Sequence, residues 1–81
     1  MKVALYALTT CPYCRMTKKM LEESGIDYQL TEVDLLEGES KEQAIDEVKR
    51  LSGGTSFPVV IIDDEVIVGF NKKRIKELLG A

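Results

Sequence analysis

The chain has 81 residues, of which 44% are hydrophobic and 31% are charged, and these proportions are ordinary for a small globular domain. Its 14 acidic and 11 basic side chains give a net charge of −3, which argues against nucleic-acid binding because such proteins normally carry a basic excess. Histidine is absent, so imidazole is excluded both as a general base and as a metal ligand.

The length leaves room for one small core, so we expect a single domain over residues 1–81 that acts as a monomer. The longest apolar run near the N-terminus is Val3–Leu8, which is shorter than a signal-peptide core of about 7–15 residues or a membrane span of about 20. We therefore expect no membrane association and a cytoplasmic location, where thiols are kept reduced.

The first predicted element is a strand over Lys2–Leu8, which is apolar on both faces, as in a sheet that is covered on both sides. A helix is predicted from Pro12, because proline suits the first helical position, and it ends at Ser24-Gly25. Apolar and polar residues alternate over Asp27–Val33, which predicts a second strand with one exposed face.

A second helix and a hairpin are predicted next. Ser40–Gln43 fits a capping box, so the helix is expected to open there and to end near Gly53-Gly54. Val59–Ile62 has the composition of a short buried strand. Asp63-Asp64 then makes a tight turn into Val66–Val68, which completes a β-hairpin.

The last predicted helix follows Asn71, a good N-cap residue, and stops at Gly80. The element order is therefore β-α-β-α-β-β-α. The early βαβ unit implies two parallel strands, and the closing hairpin adds an antiparallel pair. The sequence thus predicts an α/β fold in which three helices cover both faces of a four-stranded mixed sheet.

Both cysteines lie in the stretch TTCPYCRMTKK, where the first strand gives way to the first helix. Residues three apart share a helix face, so Cys11 and Cys14 can bring their sulfurs together. Cys11 lies at the N-terminal end, where free N–H groups and the helix dipole favour a thiolate and lower its pKa. Cys14 is the resolving thiol by position, and Lys18 and Lys19 are expected to be ordinary surface charges.

Two structural interpretations compete with a redox dithiol. A structural disulfide would close a four-residue ring and stabilise the fold by only about 2 kcal/mol, and the cytosol would reduce it. A zinc site needs four ligands, usually Cys and His, so this chain could supply only half of a site shared between subunits. A C-x-x-C motif beside a βαβ pattern favours a thioredoxin-like redox protein.

After the two cysteines, the second candidate for a functional motif is Phe57-Pro58, just before the apolar segment VVII. Proline removes a backbone donor, and an X–Pro bond is the one peptide bond for which cis geometry costs little. The alternative is an ordinary proline at the first position of a strand. From the residues alone, both interpretations stay open.

Together these features resemble a glutaredoxin, a family with the thioredoxin fold, over nearly the whole chain. The resemblance rests on the first strand with its CPYC, Thr55–Pro58 at the place of the family's cis-proline, the hairpin that follows, and Gly69-Phe70 before the last helix. CPYC is the dithiol glutaredoxin motif, whereas thioredoxins carry CGPC. The resemblance implies that Cys11 attacks a disulfide or a glutathione mixed disulfide, and that Cys14 releases the product by forming the Cys11–Cys14 disulfide.

The resemblance also implies a binding site around the thiols. Pro58 would be cis beside Cys11, and the backbone of Phe57 would be free to pair with an extended substrate or with glutathione. The other implied groove residues are Tyr13, Gly69, Phe70 and Asn71. The implied partners are disulfide-containing proteins, with glutathione and/or thioredoxin reductase as reductant, and neither a bound cofactor nor a metal is expected.

Three positions depart from the glutathione-binding pattern of the family. Leu8 stands where a Lys or Arg usually precedes the first cysteine, Val68 replaces the first glycine of a Gly-Gly pair, and Lys72 replaces an aspartate. Lys72 would repel the α-ammonium of glutathione but could attract a carboxylate. These departures resemble the glutaredoxin-like electron donors of ribonucleotide reductase, which thioredoxin reductase recharges, and that role is the alternative to glutaredoxin-type activity.

A third hypothesis is a binding function instead of an enzyme activity: a dimer that holds an iron–sulfur cluster through Cys11 of each chain and glutathione. Family members of this kind typically have a small residue in place of Pro12 and lack the second cysteine. Pro12 and Cys14 therefore argue against it.

Overall fold

The computed structural model describes residues 2–80, and its elements follow the predicted order. These are four strands, three helices and one short 3₁₀ turn, in the order β1 (Val3–Ala7), α1 (Pro12–Glu23), β2 (Gln29–Glu32), η1 (Val33–Leu35), α2 (Gly38–Ser52), β3 (Val59–Ile62), β4 (Glu65–Val68) and α3 (Lys72–Leu79). No helix within residues 2–80 has the length and apolar character that crossing a bilayer requires.

The sheet is mixed, as predicted, with the strand order β2-β1-β3-β4. The central strand β1 runs parallel to β2, with Leu5 opposite Leu30, and antiparallel to β3, with Leu5 opposite Val60. The hairpin between β3 and β4 turns at Asp63, which takes a left-handed φ of 54°. Because β1 lies inside the sheet, the residues that follow its C-terminal end, up to the start of α1 at Pro12, lie near the middle of one end of the sheet.

The helices cover both faces of the sheet. On one face, α1 and α3 pack on β1 and the hairpin, and the buried residues of that core are Val3, Leu5, Ala7, Cys14, Leu21, Val60, Ile62, Ile67 and Ile75. On the other face, Ala4 and Tyr6 of β1 line a groove together with Glu47 and Leu51 of α2. The period of two in β1 therefore separates two apolar layers, as a sheet covered on both sides requires.

The predicted boundaries of α2 and β2 are partly wrong, and β2 begins at Gln29 instead of Asp27. The helix α2 begins at Gly38, two residues before the predicted capping box, and its N-cap Glu37 makes no side-chain capping bond. Gly38 has a φ of +60°, which lets the chain turn from extended Glu37 directly into the helix. The strand β2 ends at Glu32 because Val33, buried like a strand residue, starts η1 instead.

Candidate active site

The two cysteines lie where β1 ends and α1 begins. Cys11 is the N-cap of α1 in an extended conformation, and Pro12 takes the first helical position, both as predicted. The backbone N–H of Cys11 donates to the carbonyl of Leu8 at 3.2 Å, which closes the turn between strand and helix. Both thiols are free; Cys11 is half-buried, whereas Cys14, one turn into the helix, is fully buried.

The environment of Cys14 keeps it protonated. Burial raises the pKa of Cys14 to about 11, and both the hydrogen bond to Cys11 and the negative charge of that neighbour act in the same direction. The backbone N–H of Leu8, which donates to Cys14 Sγ at 3.5 Å, and the charge of Lys18 oppose the rise. Cys14 is therefore protonated at rest, but the N–H of Leu8 is in place to stabilise its thiolate when that forms.

The environment of Cys11 has the opposite effect. Burial acts to raise the pKa of Cys11, but a hydrogen bond from the Cys14 thiol and hydrogen bonds from the backbone N–H groups of Cys14 and Tyr13 outweigh it. The pKa of Cys11 consequently lies below the ordinary value of a cysteine. This is the direction expected for a thiol at a helix N-terminus, and the free backbone N–H groups of the first turn are part of its cause.

The peptide bond between Phe57 and Pro58 is cis, which confirms the geometry that the family resemblance implied and that the residues alone had left open. Pro58 is buried, and Phe57 packs against the same apolar core that Cys11 contacts. The carbonyl of Pro58 accepts a hydrogen bond from Gly69 N–H at 2.8 Å, which ties this loop to the end of β4. The proposed role of Phe57 and Pro58 in substrate binding stays a prediction.

Two of the expected groove residues, Tyr13 and Phe70, are neighbours in space although they are far apart in the sequence. The rings of Tyr13 and Phe70 are stacked, with centroids 6.5 Å apart and an interplanar angle of 27°. Tyr13 is 59% exposed, so its outer face is open to solvent beside the active-site helix. The contact joins the start of α1 to the loop before α3.

Gly69 and Asn71 shape the loop that leads into α3. Gly69 has a φ of +82°, a conformation that favours glycine, and its carbonyl accepts the N–H of Asn71 at 3.1 Å. The side chain of Asn71 caps α3 by accepting the N–H of Arg74 at 3.2 Å, as predicted. Of the departing positions, Leu8 is half-buried at the end of β1, and Lys72 is the exposed first residue of α3.

Lys18 has a closer relation to the site than the sequence indicated. It is partly buried, its Nζ lies 3.9 Å from Glu32 Oε1 on β2, and its charge lowers the pKa of Cys14. The spacing of four residues from Cys14 on one helix was the available signal. Lys19, by contrast, is an exposed surface charge, as expected.

The loop before Cys11 is held by a residue that no sequence pattern singled out. The backbone N–H of Thr9 donates to Asp34 Oδ1 at 3.0 Å, and the Thr9 hydroxyl donates to Asp34 Oδ2. These hydrogen bonds hold the pKa of Asp34 below its usual range. The sequence offered no signal, because the contact depends on the parallel pairing of β1 with β2 and on the η1 turn.

A mixed four-stranded sheet between helices, a C-x-x-C motif that opens the first helix and a cis-proline before the third strand define the class: a thiol–disulfide oxidoreductase with a thioredoxin-like fold. Residues 3–67 match the family model described as glutaredoxin. The chain therefore belongs to the glutaredoxin family, whose members are thiol–disulfide oxidoreductases.

Similar proteins include glutaredoxins and glutaredoxin-like proteins of archaea and bacteria. The glutaredoxin grx-1 of Archaeoglobus fulgidus is 38% identical, with a TM-score of 0.94 over 99% of this chain and 87% of that chain. The methanoredoxin of Methanosarcina acetivorans is 47% identical, with a TM-score of 0.93 over 99% of this chain and 85% of that chain. An uncharacterized glutaredoxin-like 8.6 kDa protein in the rubredoxin operon of Clostridium pasteurianum is 36% identical over 77 residues, which are 95% of this chain and 96% of that protein.

Proposed function

We propose that this protein reduces protein disulfides and glutathione mixed disulfides through a Cys11/Cys14 dithiol. The observation that carries the proposal is the placement of the two thiols: Cys11 is the half-buried N-cap of α1, whereas Cys14 is fully buried one turn later, and this placement lowers the pKa of Cys11 and raises that of Cys14. A two-step exchange needs one thiol that is reactive at neutral pH and a second that waits until the first is bound.

In the first step, the Cys11 thiolate attacks one sulfur of the substrate disulfide. A bond forms between Cys11 Sγ and that sulfur, the substrate S–S bond breaks, and the second substrate sulfur leaves as a thiolate that takes a proton from water. Because Cys11 is only partly buried at the N-cap of α1, its sulfur can be approached from outside. The backbone beside Phe57-Pro58 supports an extended substrate in this proposal.

In the second step, Cys14 loses its proton and attacks Cys11 Sγ, which releases the second substrate thiol and leaves the Cys11–Cys14 disulfide. Two electrons have then passed from the dithiol to the substrate. Once Cys11 is in a mixed disulfide, its charge and its hydrogen bond no longer raise the pKa of Cys14, whereas the Leu8 N–H and Lys18 still lower it. Burial, the largest cause of the raised pKa, remains, so forming the intermediate lowers the pKa of Cys14 part of the way and makes the resolving thiol more reactive.

Glutathione is the proposed reductant that restores the dithiol, without a resident cofactor. The stacked pair of Tyr13 and Phe70 offers an apolar wall for it, and Gly69 and Asn71 complete the proposed groove. The observations that favour thioredoxin reductase, and a role as donor to ribonucleotide reductase, are the neutral Leu8 and the exposed cation of Lys72. A reducing compartment such as the cytoplasm suits either route.

The test oxidises the protein to its Cys11–Cys14 disulfide and follows its reduction by glutathione and, separately, by NADPH with thioredoxin reductase. We expect rapid reduction by glutathione and, with glutathione present, turnover of a glutathione mixed disulfide. The Cys11→Ser variant, which keeps the fold but lacks the nucleophile, should show no turnover. Reduction by the reductase alone would replace glutathione with the alternative donor role, and turnover by Cys11→Ser would refute the proposal.

A further inference from the structure

A groove runs between α1 and α3 on the side of the molecule that carries Tyr13 and Phe70. It is lined by apolar side chains and lysines, with one glutamate and one serine: Met16, Met20, Phe70, Lys19, Lys72, Lys76, Glu23 and Ser24. Neither the disulfide exchange nor the proposed glutathione site accounts for the methionines or for Lys72 and Lys76, two of the three lysines of α3.

The apolar part of this α1–α3 groove is continuous with the active site. Tyr13, Met16 and Met20 recur at helical spacing on one face of α1, and they span about 10 Å along the helix. Met16 is 48% exposed, and Tyr13 stacks on Phe70, so the strip begins two residues after Cys11. Tyr13 and Met16 are exposed, whereas Met20 is half-buried against the core, and exposed apolar side chains that lie side by side commonly mark a binding surface.

Lys72 stands where a cation costs stability, whereas Lys76 lies in the last turn of α3, where the macrodipole favours a cation. Lys72 and Lys76 are four residues apart on one face, where like charges repel, and Lys72 opens the helix, where the macrodipole disfavours a cation. Among residues 2–80, the ion pairs are made by four other cations: Lys18, Lys19, Arg50 and Arg74. Residues that lower stability without a compensating contact in the same molecule are expected at functional sites. We therefore expect the role of Lys72 to lie in contact with a binding partner.

We propose that the α1–α3 groove docks an acidic and apolar segment of the protein substrate, next to the disulfide being reduced. In a chain whose net charge is −3, this groove has three lysines against one glutamate, so it selects carboxylates. An extended segment advances about 3.3 Å per residue, so about three residues beyond the target cysteine cover the strip. An apolar side chain packs on Met16 and Phe70, and the flanking carboxylates pair with Lys72 and Lys76.

This inference rests on the proposed function and deepens it by naming the substrate class, so its first test is an activity ratio. Two synthetic peptides carry one cysteine as a mixed disulfide with 2-mercaptoethanol; leucine and glutamates flank the cysteine in one, and leucine and lysines in the other. We expect the acidic peptide to be reduced about five- to ten-fold faster, as two exposed charge pairs allow, and the preference to fade at high salt.

Charge-reversal variants locate the preference. The double variant K72E/K76E should lose or invert the ratio of the two peptide rates, whereas K41E/K49E, the same charge change on α2, should keep it. Because the ratio is taken within one variant, changes in folding or basal activity cancel. Equal rates for the two peptides with the unaltered protein, or an unchanged ratio in K72E/K76E, would overturn the proposal.

A binding experiment separates docking from redox chemistry. The acidic peptide with serine in place of its cysteine is titrated into ¹⁵N-labelled protein, and we expect amide shifts at Met16, Met20, Phe70, Lys72 and Lys76. If those shifts appear but no disulfide is ever reduced, the proposed function fails and the docking surface stands. If disulfides are reduced but the shifts lie elsewhere, the docking surface is refuted and the proposed function stands.

Discussion

The difference between Cys11 and Cys14 arises from surroundings that differ over a single helical turn. A thiol with an ordinary pKa of about 8.5 is about 3% thiolate at pH 7. With a pKa of about 11, the thiolate fraction of Cys14 falls to about one in ten thousand, because its sulfur is buried. Cys11 has more thiolate than the ordinary case, since the first-turn N–H groups and the Cys14 thiol donate to it.

This contrast predicts the pH dependence of alkylation. With iodoacetamide between about pH 5 and pH 10, we expect Cys11 to react with a midpoint below that of an ordinary free cysteine, since a lowered pKa shifts thiolate formation to lower pH. Cys14 should be modified only after Cys11 and at higher pH, because its sulfur is buried and burial raises its pKa. Mass spectrometry of tryptic peptides distinguishes the two sites. Modification of Cys14 before Cys11 would contradict the roles of nucleophile and resolver.

Among the elements, α3 depends on its cap more than its sequence of good helix formers implies. It has eight residues, and Lys72 at its first position opposes the macrodipole. The hydrogen bond from Arg74 N–H to Asn71 Oδ1 offsets part of that cost. The loop that contains Gly69 and Phe70 ends at this cap, so fraying of α3 would also loosen the wall beside Tyr13.

Removal of the cap should therefore have a measurable cost. We expect Asn71→Ala to lower the free energy of unfolding by about 1 kcal/mol, because one N–H of the first turn loses its acceptor. Asn71→Asp keeps an acceptor and places a negative charge at the helix start, so it should retain or raise stability. Urea denaturation of the two variants measures both values, and equal losses in both would show that the side-chain acceptor is not what stabilises this end.

For the molecule as a whole, the sequence predicted those features that depend on local pattern. The helix signals at Pro12, Gly53 and Asn71 and the spacing of the cysteines each have a short-range physical cause, and the structure confirms them. The start of α2 was wrong because Gly38 at a positive φ opened the helix without the side-chain cap that Ser40 offered.

The parts of the site that were missed depend on contacts between elements distant in sequence. Asp34 reaches Thr9 only because β2 pairs with β1, and the methionines of α1 form a groove only because α3 packs beside them. Neither pairing has a local signature in the sequence. Lys18 differs, because its spacing of four residues from Cys14 on the predicted helix could have indicated from the sequence alone that the two side chains are neighbours.

One measurement tests the dithiol account most directly: the intact mass of the protein after brief reaction with glutathione disulfide. We expect the unaltered protein to lose two hydrogen atoms and carry no adduct, because Cys14 resolves the intermediate. Cys14→Ser should hold one glutathione on Cys11, and Cys11→Ser should stay unmodified on the same timescale. A glutathione adduct on Cys14, or a Cys11→Ser variant that reacts as fast as the unaltered protein, would contradict the account.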